Sequence, residues 1–466
     1  MSTLQPIADR RDLAARGYPL RRPTRIAAVL CLLSFTAFLA AQRAADVSMI
    51  DLMVYRAEGW TARTGGDLYA MRATHAELPM TYPPFAALLF IPLTLVDVPE
   101  MRALATGVNL ALLVVLIHLS LRLVDRPLRV PRPAAALALA AVAVWCEPVW
   151  TTLRYGQINL LLAALVLWDL SRRPDHRWAG VGIGIAAGIK LTPALFAVFL
   201  ALCGLVRAWQ RLRRTGRLDR GVWNHWLRRA AVACGAFAGT VLLAAVVLPR
   251  DSRHFWTEAV FAPERVGRVE DTANQSLRGV LARLLHTTDP DAGWLPLAAV
   301  VAAAGLAVAV AAALAGPRRL PSAHAWAVVA CASTALLVSP VSWSHHWVWC
   351  VPTALLLGAE ALRRGGALWW TGAASAALLF CSYALWWVPH DPAERFELRQ
   401  SGVEMVLSAV YPLAGTTVLV LTAVLAVRAL RRPVPYPSAP AGSGGAAVPG
   451  RRRPLGPARA QAATKE

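Results

Sequence analysis

Charge is scarce in this chain of 466 residues. Charged side chains make up 16% of it, whereas a soluble domain usually carries roughly a quarter. Hydrophobic residues make up 57%, and they cluster in runs that approach the length needed to cross a membrane: 26–41, 103–121, 134–145, 159–168, 192–206, 230–248, 295–315, 323–338, 347–359, 371–388 and 406–427. A continuous apolar run needs lipid or other helices on every side. The composition therefore excludes a soluble protein and predicts an all-α integral membrane protein.

Cysteine pairs and acidic residues are also few. None of the seven cysteines belongs to a Cys-x-x-Cys pair, so neither a disulfide framework nor a zinc site is expected. The chain has 27 acidic against 48 basic residues, a net charge of +21, which in a soluble protein would suggest nucleic acid as a partner. Here the arginines border apolar runs, as the positive-inside rule predicts. The expected partner is therefore the lipid bilayer, and no nucleic acid is expected.

The arginine distribution predicts the topology. Six arginines precede residue 26, and the apolar run that follows lacks a signal-peptide cleavage site. This run is interpreted as a retained first helix with a cytoplasmic N-terminus. The next apolar stretch, Tyr82–Val96, is short and opens with two prolines. If it crosses the membrane, the basic loop 207–229 lies outside. If it is re-entrant or interfacial, every strongly basic loop lies inside, which the charge pattern favours.

The second alternative predicts about twelve transmembrane helices with both termini in the cytoplasm. The loops left outside, 46–80, 249–293 and 389–405, mix acidic with basic residues. Three regions follow along the chain. They are a cytoplasmic segment at 1–25, a transmembrane domain at 26–430 that carries the chemistry, and a basic tail at 431–466. The tail is rich in Pro, Gly and Ala and lacks apolar periodicity, which predicts disorder.

Six polar motifs interrupt the apolar chain, and this topology places all of them on the outer side of the membrane. They contain Asp51 and Tyr55 in Asp-Leu-Met-Val-Tyr, Tyr82 in Thr-Tyr-Pro-Pro-Phe, Gln157 and Asn159 in Gly-Gln-Ile-Asn, Lys190 in Gly-Ile-Lys-Leu-Thr-Pro, Asn274 and Gln275 in Asn-Gln-Ser-Leu, and His345 and His346 in Ser-Pro-Val-Ser-Trp-Ser-His-His. The topology rests on arginines elsewhere in the chain. The agreement therefore indicates a single site on the non-cytoplasmic side.

Each motif also has a structural interpretation. A carboxylate just outside a helix is usually a solvated loop residue, amides join helices within membranes, and histidines among tryptophans anchor helices at the interface. Lys190 is harder to explain in this way, because the chain has two lysines against 46 arginines and a charge at membrane depth marks a functional site. A compact ammonium suits an anionic group such as a phosphate.

The order of these motifs resembles glycosyltransferase family 87, a family of actinobacterial membrane enzymes with the GT-C fold. The resemblance spans roughly residues 25–430. It implies an inverting α-1,2-mannosyltransferase in the plasma membrane. Such an enzyme transfers mannose from a polyprenyl-phosphate donor to a glycolipid acceptor, a phosphatidylinositol mannoside or a lipoglycan, at the outer face. No cofactor is implied. The first outer loop has no Asp-x-Asp pair, so no metal is expected.

The resemblance also implies roles for particular residues. The proposed general base of the family is the aspartate after the first helix, which maps onto Asp51. The lysine and histidine motifs map onto Lys190 and onto His345 or His346, with both histidines left open. Inversion needs one base for the acceptor hydroxyl and a stabilised leaving phosphate, so a single carboxylate is enough. The remaining motif residues are expected to bind substrate: Tyr55, Tyr82, Gln157, Asn159, Asn274 and Gln275.

Three alternatives stay open at this point. The family also includes arabinofuranosyltransferases that use a polyprenyl-phosphate arabinose, and the motifs do not separate the two sugars. A lipid or sugar transporter is a different class, but the chain shows no paired interrupted helices in corresponding halves. A catalytically silent scaffold would leave Asp51 and Lys190 without a purpose. In the enzyme, the apolar surface of Tyr82–Val96 is expected to hold the isoprenoid chain.

The topology is tested with single cysteines in a chain whose seven native cysteines are replaced by alanine. We expect Thr64→Cys and Thr215→Cys to react with a membrane-impermeant maleimide from opposite sides, because the arginine pattern places loop 46–80 outside and loop 207–229 inside. Labelling is measured in intact cells and in inverted vesicles. Reaction of both cysteines from the same side would contradict the topology.

Overall fold

The computed structural model describes residues 21–217, 220–391 and 394–431. Two of the predicted regions fall largely outside these residues. The cytoplasmic segment 1–25 lies outside them as far as residue 20, and the tail 431–466 lies outside them from residue 432. The division into three regions therefore stays a prediction.

The described part of the chain is almost wholly helical. Its α-helices are α1 (Arg21–Ala44), α2 (Ile50–Thr64), α3 (Pro84–Phe90), α4 (Val98–Val124), α5 (Arg132–Ala143), α6 (Glu147–Tyr155), α7 (Asn159–Leu170), α8 (Val181–Ile189), α9 (Ala194–Thr215), α10 (His225–Val247), α11 (Pro249–Thr257), α12 (Leu277–Leu284), α13 (Asp291–Arg319), α14 (Ala323–Val338), α15 (Cys350–Arg364), α16 (Ala367–Cys381), α17 (Gly402–Leu407) and α18 (Val410–Arg431). Short 3-10 turns lie between several of them, including Ile91–Leu95 and Ser344–Trp349. The all-α prediction is confirmed.

Six helices are long and apolar enough to cross a membrane: α1, α4, α9, α10, α13 and α18. Helices α5 and α6 pass the same test together but are bent by 81°. The bend falls just before Pro148, which occupies the first turn of α6, where proline begins a helix well but cannot continue one. The chain is therefore a multi-pass membrane protein. The described residues supply six or seven spans of sufficient length, so the predicted count of about twelve is not confirmed.

Several apolar runs form helices shorter than a membrane is thick. Helix α7 has 12 residues, a length of about 18 Å, whereas the hydrocarbon core is about 30 Å thick. Helices α14 and α16, with 16 and 15 residues, are also short. Such a helix can end at membrane depth where protein covers its free backbone groups. The lengths of apolar runs therefore do not by themselves give the number of spans.

The segment Tyr82–Val96 forms helix α3 followed by the turn Ile91–Leu95. Together they form an apolar helix of 12 residues, Pro84–Leu95, which is too short to cross the bilayer. It packs against α2, a helix within the region 46–80 for which the sequence predicts an outer loop. A Cβ added to Gly59 of α2 would lie 2.4 Å from the Phe90 carbonyl oxygen. This close contact fixes α2 against the segment and supports the re-entrant or interfacial interpretation.

Small residues also bring α8 close to α10. A Cβ at Gly184 would lie 2.4 Å from the Ala233 carbonyl oxygen, and one at Gly188 would lie 2.2 Å from Thr240 Oγ1. Glycines four residues apart lie on one face of a helix, so two backbones can approach closely there. This contact positions the end of α8, and Lys190 is the next residue.

Candidate active site

A cavity of about 590 Å³ lies among the predicted site residues. Its wall is contributed by separate parts of the chain: α2, the segment 78–83, the end of α6, the break between α8 and α9, the segment 255–266, and the segment 339–346. Asp51, Tyr55, Tyr82, Gln157, Lys190, His345 and His346 all line it. The structure thus brings together seven of the ten predicted residues, although their roles stay predictions.

Asp51 lies in the first turn of α2, with its carboxylate facing the cavity. Gln157 donates a hydrogen bond from Nε2 to Asp51 Oδ2, at 2.6 Å. Burial raises the pKa of Asp51 to about 6, against the lowering effects of the Gln157 hydrogen bond and the nearby Lys190 charge. Asp51 is therefore mostly ionised at neutral pH, with a basicity suited to accepting a proton near the working pH.

Two tyrosines fix the orientation of Gln157. Tyr55 donates a hydrogen bond from its hydroxyl to Gln157 Oε1 at 2.6 Å, and the Tyr82 hydroxyl donates to the same oxygen at 3.3 Å. Because Oε1 accepts both bonds, the amide nitrogen must face Asp51. Gly156, with φ 70°, ends α6 just before Gln157, and a Cβ there would lie 2.6 Å from Leu52 Cβ. A glycine is needed for both the left-handed backbone and the close approach to α2.

Lys190 lies in the break between α8 and α9, in extended backbone with φ −148°. Its Nζ lies 2.8 Å from His346 Nε2 and 5.3 Å from the centroid of the Tyr82 ring, which is within the range of a cation–π contact. Burial lowers the pKa of Lys190 to about 7, while the Asp51 charge opposes this shift. Ammonium and amine are therefore both populated near neutral pH.

His345 and His346 occupy different environments in the turn Ser344–Trp349. His346 Nδ1 accepts a hydrogen bond from the Trp343 amide at 3.1 Å, so a neutral His346 ring carries its proton on Nε2 and directs it at Lys190. That contact suits an uncharged Lys190, whereas a phosphate beside it would favour the ammonium. The His345 ring instead packs against Tyr155, with the centroids 5.4 Å apart. Of the two histidines, His346 is the one that contacts the lysine.

The other three predicted residues hold the histidine segment in place. Asn159 donates from Nδ2 to the His345 carbonyl oxygen at 3.1 Å. Asn274 accepts the Ser342 amide at its Oδ1, and the Gln275 amide donates to the Ser342 carbonyl oxygen. Asn274 and Gln275 are fully buried and do not line the cavity. Their contacts show a structural role, and direct contact of these amides with substrate stays a prediction.

Two carboxyl groups near this site were not predicted from the sequence. Glu58, on the same helix as Asp51, lines the cavity. Glu147, fully buried at the start of α6, accepts hydrogen bonds from four side chains: Thr151 at 2.8 Å, Ser344 at 2.8 Å, Trp386 at 3.1 Å and Tyr411 at 2.8 Å. Glu147 adjoins an apolar run, and a carboxylate there is a signal of function or of a buried network. Glu58 is spaced seven residues from Asp51, which places both on one helix face.

No group of three or more His, Cys, Asp or Glu side chains is arranged to hold a metal ion within residues 21–217, 220–391 and 394–431. The expectation of a reaction without metal or cofactor stays a prediction.

The chain matches known proteins over most of its length. The model of glycosyltransferase family 87 matches residues 80–340. A relative from Mycobacterium tuberculosis (strain CDC 1551 / Oshkosh) is 35% identical over 358 residues, which cover 75% of this chain and 76% of the relative. The chain belongs to glycosyltransferase family 87. It is therefore a membrane glycosyltransferase, and the GT-C fold expected from the resemblance comes with the family.

The names of its relatives differ in the sugar and the linkage. The relative above is named a polyprenol-phosphate-mannose-dependent α-(1-2)-phosphatidylinositol pentamannoside mannosyltransferase. A second, from Mycobacterium tuberculosis (strain ATCC 25618 / H37Rv), is named a polyprenol-phosphate-mannose-dependent α-(1-2)-phosphatidylinositol mannoside mannosyltransferase and is 33% identical over 68% of this chain and 71% of the relative. An α-(1→3)-arabinofuranosyltransferase from the same strain is 34% identical, but over 34% of this chain and 36% of its own length.

The Gln157 hydrogen bond predicts the pH dependence of this family 87 glycosyltransferase. Gln157→Met removes the amide that lowers the pKa of Asp51, so this pKa should rise above about 6. A base acts in its ionised form, so the acid limb of the kcat/KM profile should move to higher pH, by about 0.5–1 unit for one hydrogen bond. Tyr155→Phe, which leaves the amide in place, is the control. If the acid limb of Gln157→Met stays at the wild-type pH, Asp51 is not the group whose protonation lowers kcat/KM at acid pH.

Proposed function

We propose that the chain transfers mannose from a polyprenyl-phosphate donor to a phosphatidylinositol mannoside acceptor, forming an α-1,2 linkage with inversion. The observation that carries this proposal is the arrangement of opposite chemistries in one cavity. The Asp51 carboxylate lines the cavity from α2, and the Lys190–His346 pair lines it from the break between α8 and α9 and from the turn Ser344–Trp349. One group is suited to accept a proton, and the other to bind a phosphate.

The reaction follows from this arrangement. Asp51 takes the proton from the attacking hydroxyl of the acceptor, and that oxygen forms a bond to the anomeric carbon of the donor mannose. The bond between the anomeric carbon and the phosphate oxygen breaks on the opposite face, and its electron pair leaves with the polyprenyl phosphate. Lys190 and His346 stabilise the charge that grows on this leaving group. No covalent sugar–enzyme intermediate is needed, so one base is sufficient.

Lys190 and His346 also define an orientation for the lipid-linked donor in the site. Lys190, His346 and Asn159 border a second pocket of about 50 Å³, which is lined mainly by apolar side chains: Leu162, Ala163, Val166, Phe196, Ala332, Ala335, Leu336, Val348 and Trp349. With its phosphate at Lys190, a lipid-linked donor would place the start of its prenyl chain toward these side chains and its sugar toward Asp51. This apolar pocket adds a second surface for the prenyl chain to the one expected along Tyr82–Val96.

Mannose is favoured over arabinose by the extent of the matches. The mannosyltransferases match 68–75% of this chain, whereas the arabinofuranosyltransferase matches 34% of it. The extracytoplasmic position of the cavity is supported by the arginine pattern, which leaves the polar motifs opposite the basic loops. We therefore place the reaction at the outer face of the plasma membrane, where the lipid-linked donor and the glycolipid acceptor share the bilayer.

The proposal is tested with purified protein in detergent, radiolabelled polyprenyl-phosphate mannose and phosphatidylinositol mannosides. Wild type should form a mannosylated lipid whose new linkage is α-1,2. Asp51→Asn keeps the shape and the Gln157 contact but removes the base, so turnover should fall by about 10²–10⁴ while donor affinity is retained. Polyprenyl-phosphate arabinose serves as the control donor. Near-normal turnover in Asp51→Asn would exclude Asp51 as the base, and transfer from the arabinose donor alone would overturn the assignment of mannose.

Lys190 is tested through donor affinity. Lys190→Met keeps the apolar stem and deletes the charge, so donor binding should weaken by about 10- to 150-fold, the equivalent of ~1.5–3 kcal/mol for a hydrogen bond to a charged group. Lys190→Arg should restore only part of this loss, because guanidinium is larger and planar. Affinity is measured by competition with unlabelled polyprenyl phosphate. Unchanged donor affinity in Lys190→Met would assign Lys190 a structural role.

A further inference from the structure

A second carboxyl group faces the cavity without a partner. Glu58 lies on α2, seven residues after Asp51, so that two helical turns separate them on one face. Its side chain is 1% exposed and lines the cavity. Its Oε2 atom is buried and has no hydrogen-bond partner in the structure. Buried polar atoms are nearly always paired in folded proteins, so an unpaired carboxyl oxygen on a residue of the cavity wall needs an explanation.

The polar groups near Glu58 have other hydrogen-bond partners and do not bind its free oxygen. The Tyr69 hydroxyl donates to the Tyr82 carbonyl oxygen, and the Tyr55 hydroxyl donates to Gln157 Oε1. The Asp51 carboxylate, the closest acid along the helix face, repels a second negative charge. Burial and this repulsion both raise the pKa of Glu58 well above its ordinary value, which favours the protonated carboxyl group over the carboxylate. A neutral acid both donates and accepts a hydrogen bond, as a sugar hydroxyl does.

Glu58 shares a helix face with the residue assigned to the acceptor hydroxyl. Asp51 interacts electrostatically with Lys190 and also with Glu58. Seven residues of α-helix separate Asp51 from Glu58 by about 10 Å along the axis. With the donor phosphate at Lys190 and the reacting hydroxyl of the acceptor at Asp51, Glu58 is the further carboxyl group on the helix face that meets the acceptor.

We propose that Glu58 is a sugar-binding residue, whose carboxyl group hydrogen-bonds a ring hydroxyl of the acceptor mannose next to the attacked position. The inference rests on the proposed mannosyl transfer and deepens it by assigning the acceptor side of the cavity. A donor mannose presents the same hydroxyl chemistry. The helix face that Glu58 shares with Asp51 favours the acceptor, and the kinetic test separates these two sources.

The test compares Glu58→Leu and Glu58→Gln with wild type in detergent, with polyprenyl-phosphate mannose and a phosphatidylinositol mannoside as substrates. Glu58→Leu should raise the KM for the acceptor at least tenfold and leave the KM for the donor unchanged. Glu58→Gln should lose less, because an amide also donates and accepts. Stabilisation of the protein against heat by the acceptor lipid, which does not depend on turnover, should fall in the same order. Glu100→Leu, an exposed carboxylate at the start of α4, is the control.

The outcomes are distinct. A rise confined to the KM for the donor would overturn the acceptor assignment and place the hydroxyl on the donor sugar. Unchanged KM values for both substrates in Glu58→Gln and Glu58→Leu would overturn the sugar contact altogether. Should Glu58→Leu fail to fold, Glu58→Met, whose unbranched side chain has a similar length and no hydrogen-bonding carboxyl group, takes its place in the same comparison. Absence of product in wild type would instead overturn the mannosyl transfer itself, a failure that is separate from the role of Glu58.

Discussion

The hydrogen bond from Gln157 to Asp51 is the contact on which the rest of the site depends. A carboxylate removed from water stays ionised only where donors or cations replace its hydration. Gln157 offers its amide nitrogen because Tyr55 and Tyr82 occupy its carbonyl oxygen. Asp51, Tyr82 and Gln157 belong to three distant parts of the chain. The pKa of Asp51 is therefore set only when these three parts pack together.

The cavity wall that carries Lys190 and the two histidines is held in place by buried polar contacts. Glu147 accepts four hydrogen bonds, among them one from Ser344, next to the histidine pair. Asn159, in the first turn of α7, donates a hydrogen bond to the His345 carbonyl oxygen. The close packing of α8 on α10 positions Lys190 beside His346. Because buried carboxylates and amides are costly when unpaired, these contacts fix the cation-bearing wall in a single arrangement.

The cavity brings together the groups that a transfer between two lipids would use. Lys190 and His346 line it as a pair 2.8 Å apart, Asp51 has a pKa of about 6, and the pKa of Glu58 is raised well above its ordinary value. Two carboxyl groups on one helix thus differ in pKa because of their environments, as acids and bases with separate roles commonly do. The smaller, largely apolar pocket shares Lys190 and His346 with this cavity.

The sequence alone determined the class of fold and identified seven of the residues that line the cavity. Apolar runs require helices in a membrane, and the order of the motifs indicated family 87 and the residues from Asp51 to His346. Tertiary structure decided three other matters. It decided which apolar runs form helices too short to cross the membrane, because the free backbone groups at a helix end can be satisfied by surrounding protein but not by lipid. It decided that Asn274 and Gln275 support the cavity wall, and that His346 contacts Lys190. It also revealed Glu58 and Glu147, since the partners of a buried carboxyl group depend on residues far away in the chain.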